Sequence, residues 1–549
     1  MLKRMFVAGA IAGTVAGCGG GGSGAGSSSG DRSATLPRLA LSGTATNGVA
    51  IASAPISAKC QGATGTTTTN ADGTYSVSIS GAALPCMLEL SNPSDNTKLH
   101  SIAIGTGNSA TSNITPLTEL VVANLTRQTP ATAFSGFDAE AAAKSMTADA
   151  SKASQTSVVS FLTANKVDVT ALANTDLVSS SLVAATAANP TDGDARNGVL
   201  AAVQKTITAP LSEVASILAT SPAACPVARS GKYTVVSYTG AVSSYDIDFS
   251  ASTILLPGAV KPTAFTASGT RQCEFSAGDV TVNFASSGMA IYKATSAAEI
   301  GIAFPAQAFN KAVFGDIYNV TGYFAGGGGF AAPDDGNAPN AQAGTMKINA
   351  DGSFRLCGES DYSDQCTLLG NALSGNFSAT PNADGTDNIV FPDGSTGRFY
   401  SYTAPNGNKL LVMGDTHSLV IAAKQAPIDS SKIALNSTSV FYYVKGYSGF
   451  GSGAALNSGT NTVTAVSATE ITQLQHLDDG VTPDETQVAL LNNPWNGMRH
   501  RNADATKNIG ARTGMSTALG FSTNGSVNKI ANGVITAPGT AQFSLSVSK

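Results

Sequence analysis

The sequence predicts a multidomain, mainly β protein: an N-terminal β-sandwich, an Ala-rich helical middle domain, and a C-terminal antiparallel β-barrel or sandwich. Three observations carry that expectation. Apolar and small polar residues alternate at period two over residues 37–113 and again from 225 to 549. Between these stretches, over 114–224, apolar residues recur at helical spacing. Only 12 % of the 549 residues are charged, about half the usual share, while 42 % are hydrophobic and 58 are glycine. That composition is common in exported and surface β-proteins and unusual for a cytosolic enzyme. The net charge of −5 is small for this length, and no basic patch marks a nucleic-acid partner.

The first element is a leader over 1–17. Lys3 and Arg4 form a basic start, and Met5 to Ala16 is apolar. That apolar run is too short for the roughly 20 residues a spanning helix needs, which points to a signal peptide. Val15-Ala16-Gly17-Cys18 then resembles a bacterial lipobox. In that family the peptidase cuts before the cysteine, and the new N-terminal Cys carries lipid. The resemblance implies that Cys18 is lipidated and that membrane lipid is a partner through the anchor. Several acyl chains, at about 0.8 kcal/mol per buried methylene, hold a protein on a bilayer almost permanently. Gly19 follows Cys18, where Gram-negative lipoproteins without Asp go to the outer membrane. Residues 18–36 are a Gly/Ser-rich tether that spans roughly 20–25 Å as a random coil.

With Cys18 set aside, six cysteines remain: Cys60, Cys86, Cys225, Cys273, Cys357 and Cys366. An even set in an exported chain reads as disulfides. Six cysteines allow fifteen connectivities. Chain order and domain grouping favour Cys60–Cys86, Cys225–Cys273 and Cys357–Cys366. No C-x-x-C occurs, and the four histidines lie far from most of these cysteines, so a metal centre is the weaker reading.

Residues 37–113 read as strands. In Thr74-Tyr75-Ser76-Val77-Ser78-Ile79, Tyr75, Val77 and Ile79 alternate with small polar residues. Asp72-Gly73 supplies a turn ahead of that strand. The opening Ser42-Gly43-Thr44-Ala45, the segment Ala54 to Cys60, and Thr69-Asn70-Ala71-Asp72-Gly73-Thr74-Tyr75-Ser76-Val77 together resemble carboxypeptidase regulatory-like modules. The resemblance implies a transthyretin-like sandwich with an accessory, non-catalytic role.

Over 114–224 the spacing predicts helices. Thr115 is placed as an N-cap, Pro116 as the first helical residue, and Glu119 in the positive first turn. Leu117, Leu120, Val121 and Leu125 fall roughly on one face. Further helices are expected near 138–150, 153–165, 194–208 and 210–220. The region reads as support for its neighbours.

From 225 to 549 short strands return, as one β-rich domain or two subdomains. Val280, Val282 and Phe284 alternate with Thr281 and Asn283. Asn406-Gly407 is a strong hairpin signal between Arg398–Thr403 and Lys409–Met413. Regular short strands and turns suggest a sandwich or an up-and-down barrel. Gly326–Gly329 reads as a long β-loop, because no helix follows it to make a phosphate cradle.

Candidate site residues are few. Glu359, Asp361 and Asp364 lie inside the Cys357–Cys366 loop, where their carboxylates could converge on a hard cation. Asp478, Asp479, Asp484 and Glu485 form a second acidic loop. The single tryptophan, Trp495, precedes Arg499: it reads as a barrel cap with Arg499 stacked on it, as core filling, or as a ligand contact. His100, His417, His476 and His500 sit in no metal motif and read as surface or turn residues. No catalytic residues and no cofactor are assigned. The chain resembles Gram-negative bacterial lipoproteins that carry a carboxypeptidase regulatory-like N-terminal module. The expectation is therefore a lipid-anchored envelope protein of binding or interaction type, more a binder than an enzyme. It would hold an unknown small apolar or glycan ligand, or an envelope partner, through its C-terminal β domain. Two alternatives stand beside it: an envelope hydrolase acting on glycans or esters, and a structural or adhesive surface protein.

Overall fold

The computed structural model describes residues 38–222, 225–324, 340–358, 360–366, 374–378, 380–392, 394, 396–415, 417–445, 455–502, 512–526 and 542–548. The leader, Cys18, the tether, the Gly326–Gly329 run and Glu359 lie outside the described residues. The chain is mainly β and multidomain: a two-sheet sandwich, a helical layer, an open nine-stranded sheet and two closed eight-stranded barrels.

The sandwich sets a three-stranded sheet, in the order Thr74–Ser80, Arg38–Thr44, Ser109–Thr111, on a four-stranded one. The second sheet runs Thr64–Thr68, Pro55–Gln61, Ala83–Ser91, Lys98–Ala103. Period-two alternation turns Leu39, Leu41, Ile56, Leu88 and Leu90 into the space between them. Cys60 and Cys86 are direct cross-strand partners and are disulfide-bonded.

Helix Pro116–Thr126 begins at Thr115, whose hydroxyl accepts from the Thr118 amide while the Thr118 hydroxyl accepts from the Thr115 amide. These reciprocal bonds satisfy two otherwise orphaned donors. The helix is not amphipathic in its surroundings: every residue from Pro116 to Asn124 is buried. One apolar face was the expectation. The helix is instead covered by the sandwich strand Lys98–Ala103 and by helices Ala148–Ala164 and Leu211–Thr220. A helix enclosed on all sides needs no polar face.

The helices share one continuous core with one face of the open sheet, joining Val214 and Leu218 to Tyr233, Phe249 and Phe284. The sheet's two outermost strands, Thr263–Ala264 and Thr266–Ala267, are separated in sequence by Phe265 alone. The sheet therefore curls until its edges nearly meet. Phe249, Phe265 and Phe275 pack edge-on within the curl. Its opposite face presents Val236, Ile291, Ile300 and Ile302 to the barrels.

The first barrel opens with Ile317–Phe324 and closes where that strand pairs with Ser418–Lys424. The second opens with Thr438–Lys445 and closes against Gln542–Ser548. The choice between barrel and sandwich thus resolves into two up-and-down barrels behind an open sheet. Closure leaves neither barrel with an unpaired edge. Asn406-Gly407 forms its turn, with Gly407 at φ +76°, where a side chain would be strained.

Candidate ligand site in the second barrel

The two barrels have opposite interiors. The first is filled: Tyr318, Val320, Met346, Phe354, Phe377 and Phe399 form one buried cluster inside it. Phe377 alone meets the rings of Phe309, Phe314, Phe354 and Phe399.

The second barrel is lined with polar side chains around a cavity of about 50 Å³. The lining comes in pairs two residues apart: Gln473 and Gln475, Arg499 and Arg501, Ser544 and Ser546. That spacing puts both members of a pair on one face of a strand. Asn461, Gln487, Phe441, Val488 and Ala489 complete the lining. The intervening residues Met498, Phe543, Leu545 and Val547 point outward into the core shared with the open sheet and the first barrel.

Hydrogen bonds order this lumen. The Arg501 guanidinium donates through one Nη2 to Glu485 Oε1 at 2.6 Å. Gln487 Nε2 donates to Glu485 Oε2 at 3.0 Å and to Gln475 Oε1 at 2.5 Å. On the other side Arg499 Nη2 donates to Ser522 Oγ at 2.8 Å, and that hydroxyl lies 2.6 Å from Ser546 Oγ. Two donors are left over: Arg499 Nε and Arg501 Nη1 are buried and have no hydrogen-bond partner among the described residues. Burial pushes the Arg499 guanidinium down to about 10, which still leaves it charged at neutral pH. Among the described residues no carboxylate forms an ion pair with Arg499.

The residues singled out from sequence fall in different places. Trp495 and Arg499 do not share a site. The chain turns at Gly497, with φ +80°, before strand Met498–Arg501 begins. Trp495 stays outside the barrel, where its Nε1 donates to Asn319 Oδ1 of the first barrel at 2.9 Å. Asn319 Nδ2 donates back to the Asn496 carbonyl at 2.8 Å. The indole thus fastens one barrel to the other, and Arg499 turns into the lumen.

Cys225–Cys273 and Cys357–Cys366 are disulfide-bonded. Within the second of these loops Asp361 Oδ1 accepts from Gln425 Nε2 at 2.9 Å. Asp364 Oδ1 accepts from the Tyr362 hydroxyl at 2.9 Å. Among the described residues no three His, Cys, Asp or Glu side chains are grouped to hold a metal ion. The carboxylates of the second acidic loop are taken up by hydrogen bonds and ion pairs. Asp478 takes Arg271 Nη2 of the open sheet at 2.6 Å, and Asp484 meets His476 Nδ1 at 2.7 Å.

His100 is a correction. It is buried, because its strand faces helix Pro116–Thr126. Its Nδ1 lies 2.8 Å from Glu119 Oε2 and its Nε2 3.1 Å from Glu89 Oε2. Burial alone would lower its pKa, but the two carboxylates outweigh it and the net shift is upward.

The Gln473/Gln475, Arg499/Arg501 and Ser544/Ser546 pairs are legible in the sequence as polar residues at period two. The intervening Leu474 and Leu545 are apolar and the intervening His500 is not, so alternation alone cannot say which face is enclosed.

No protein-family model and no curated protein sequence matches the chain. Among solved structures it is similar to isotype 1 transferrin binding protein B from serogroup B Neisseria meningitidis, at 10 % identity and a TM-score of 0.18. It is also similar to a double mutant of transferrin binding protein B from Haemophilus parasuis Hp5, at 8 % identity and a TM-score of 0.14. Each match covers 56 % of this chain and 65 % of the other, just under two thirds of those proteins. Similarity at this level transfers neither fold nor function to the chain.

Proposed function

We propose that this chain is a lipid-anchored protein of the cell envelope that binds a small polar ligand in the lumen of its second barrel. The observation that carries the reading is the lumen itself. Amides, hydroxyls and guanidiniums converge on one cavity beside Phe441. Ligand sites of this kind combine a few convergent polar groups with an enclosing wall, and barrel mouths are a usual place for them. The polar lining favours a hydroxyl-rich ligand of glycan type over an apolar one. The lipobox-like Val15-Ala16-Gly17-Cys18 and the Gly/Ser-rich tether support an outer-membrane anchor that leaves the folded domains free to meet a ligand. The sandwich module, by its resemblance to regulatory-like modules of Gram-negative lipoproteins, acts as an accessory spacer.

Two measurements test this. The chain should take up labelled palmitate, and Cys18→Ala should lose both the label and membrane association. In saturation-transfer NMR with neutral and acidic monosaccharides, the full chain should show transfer, and Ser544→Phe, which fills the cavity, should abolish it. Transfer undiminished by Ser544→Phe would sink the lumen as the binding site.

A further inference from the structure

We infer that the lumen of the second barrel is an anion site, in which Arg499 and Arg501 hold the carboxylate or phosphate of an acidic sugar-like ligand. This rests on the reading of the lumen as a ligand site and adds the ligand's charge. The first argument is charge balance. Two guanidiniums face the cavity, and among the described residues the only carboxylate ion-paired with either is Glu485, on Arg501. An enclosed cation without a counter-ion is costly to a fold.

The second argument is the leftover donors. Arg501 meets Glu485 through Nη2, and its buried Nη1 has no partner among the described residues. Arg499 spends Nη2 on a neutral hydroxyl, and its buried Nε has no partner among the described residues. Guanidinium N–H groups suit planar carboxylate and phosphate oxygens, and bonds to such oxygens are the strong, charge-assisted kind. The third argument is access to the Arg499 guanidinium. Gly514 is the cross-strand partner of Arg499, so no side chain from that position closes off the guanidinium. Gln473, Gln475 and Ser544 then surround the cavity with neutral donors and acceptors suited to sugar hydroxyls.

The test uses three hexoses that differ only in charge: glucose, glucuronate and glucose 6-phosphate. Isothermal titration of the full chain at low salt should show both acidic sugars binding at least about tenfold tighter than glucose. The tighter of the two tells carboxylate from phosphate. Arg499→Gln, which keeps a donor and removes the charge, should erase the preference. Arginine Nε–H signals in ¹⁵N NMR give a readout without mutation. One signal, absent from Arg499→Gln, should shift with the acidic sugars and not with glucose. Equal binding of glucose and the acidic sugars would overturn the anion inference and leave the lumen as a ligand site. Acidic-sugar binding that survives both Arg499→Gln and Ser544→Phe would place the anion elsewhere and overturn it too. No binding by any of the three, with no Nε–H shift, would overturn both readings.

Discussion

The two barrels share strand number, meander order, mode of closure and an apolar outer wall against the shared core, and they differ in the interior face of their strands. In the first barrel the interior is a phenylalanine-rich core, so the barrel holds itself together from within. In the second, Val440, Tyr442, Val444, Phe543, Leu545 and Val547 face outward into the cluster shared with the open sheet and the first barrel. Its stability is borrowed from its neighbours, and its interior is free to be polar. A barrel can host polar chemistry inside when another part of the molecule covers its outer wall.

Breaking each barrel at its own core should expose the difference most strongly. Phe377→Ala in the first barrel removes a ring packed against four others and is expected to cost about 3–5 kcal/mol in urea unfolding. In the second barrel the matching loss should come from an outward residue. Leu545→Ala, fully buried against the neighbours, is expected to cost about 2–5 kcal/mol. An inward change there, Gln475→Leu, should move stability by no more than about 1 kcal/mol. A large loss from Gln475→Leu would break the comparison.

The joint between the barrels gives a smaller effect. Trp495→Phe keeps the ring and removes the hydrogen bond to Asn319, for about 1 kcal/mol. Differential scanning calorimetry should show the first and second barrels uncoupling slightly, with a broader transition.

Two buried cations sharpen the contrast further. His100 has two carboxylate partners, and its pKa is raised. A histidine whose folded pKa exceeds its unfolded value contributes stability that is fully present below its ordinary pKa near 6.5. That contribution is lost as pH rises through the raised value. Melting temperature should therefore fall above about pH 6.5, and His100→Gln should flatten that part of the profile. Arg499 has no carboxylate partner among the described residues and does not titrate at neutral pH. Arg499→Gln should leave stability unchanged or raised by up to about 1 kcal/mol, the smallest effect of the series. A loss of several kcal/mol would mean that the guanidinium is a structural element of the barrel.

Much of this was legible before the fold was known. The helix start at Thr115-Pro116 and the Asn406-Gly407 turn depend on a few adjacent residues, and local backbone chemistry decides them. The lumen was not legible. Arg499 was read beside Trp495 because the two are near in sequence, yet the turn at Gly497 sends the indole outward and the guanidinium inward. The burial of His100 escaped for a related reason: its two carboxylates come from a neighbouring strand and from a helix beyond it.

By itself the amino-acid sequence determined the mainly β class, the placement of helices between β regions, and the alternation within each strand. These follow from interactions over a few residues. Only the tertiary structure decided which strands close into which barrel, and hence which of two alternating faces is inside. Closure joins strands about a hundred residues apart, Ile317–Phe324 to Ser418–Lys424 and Thr438–Lys445 to Gln542–Ser548. A period-two pattern separates two faces and carries no label for inside or outside, and the covering neighbours supply that label.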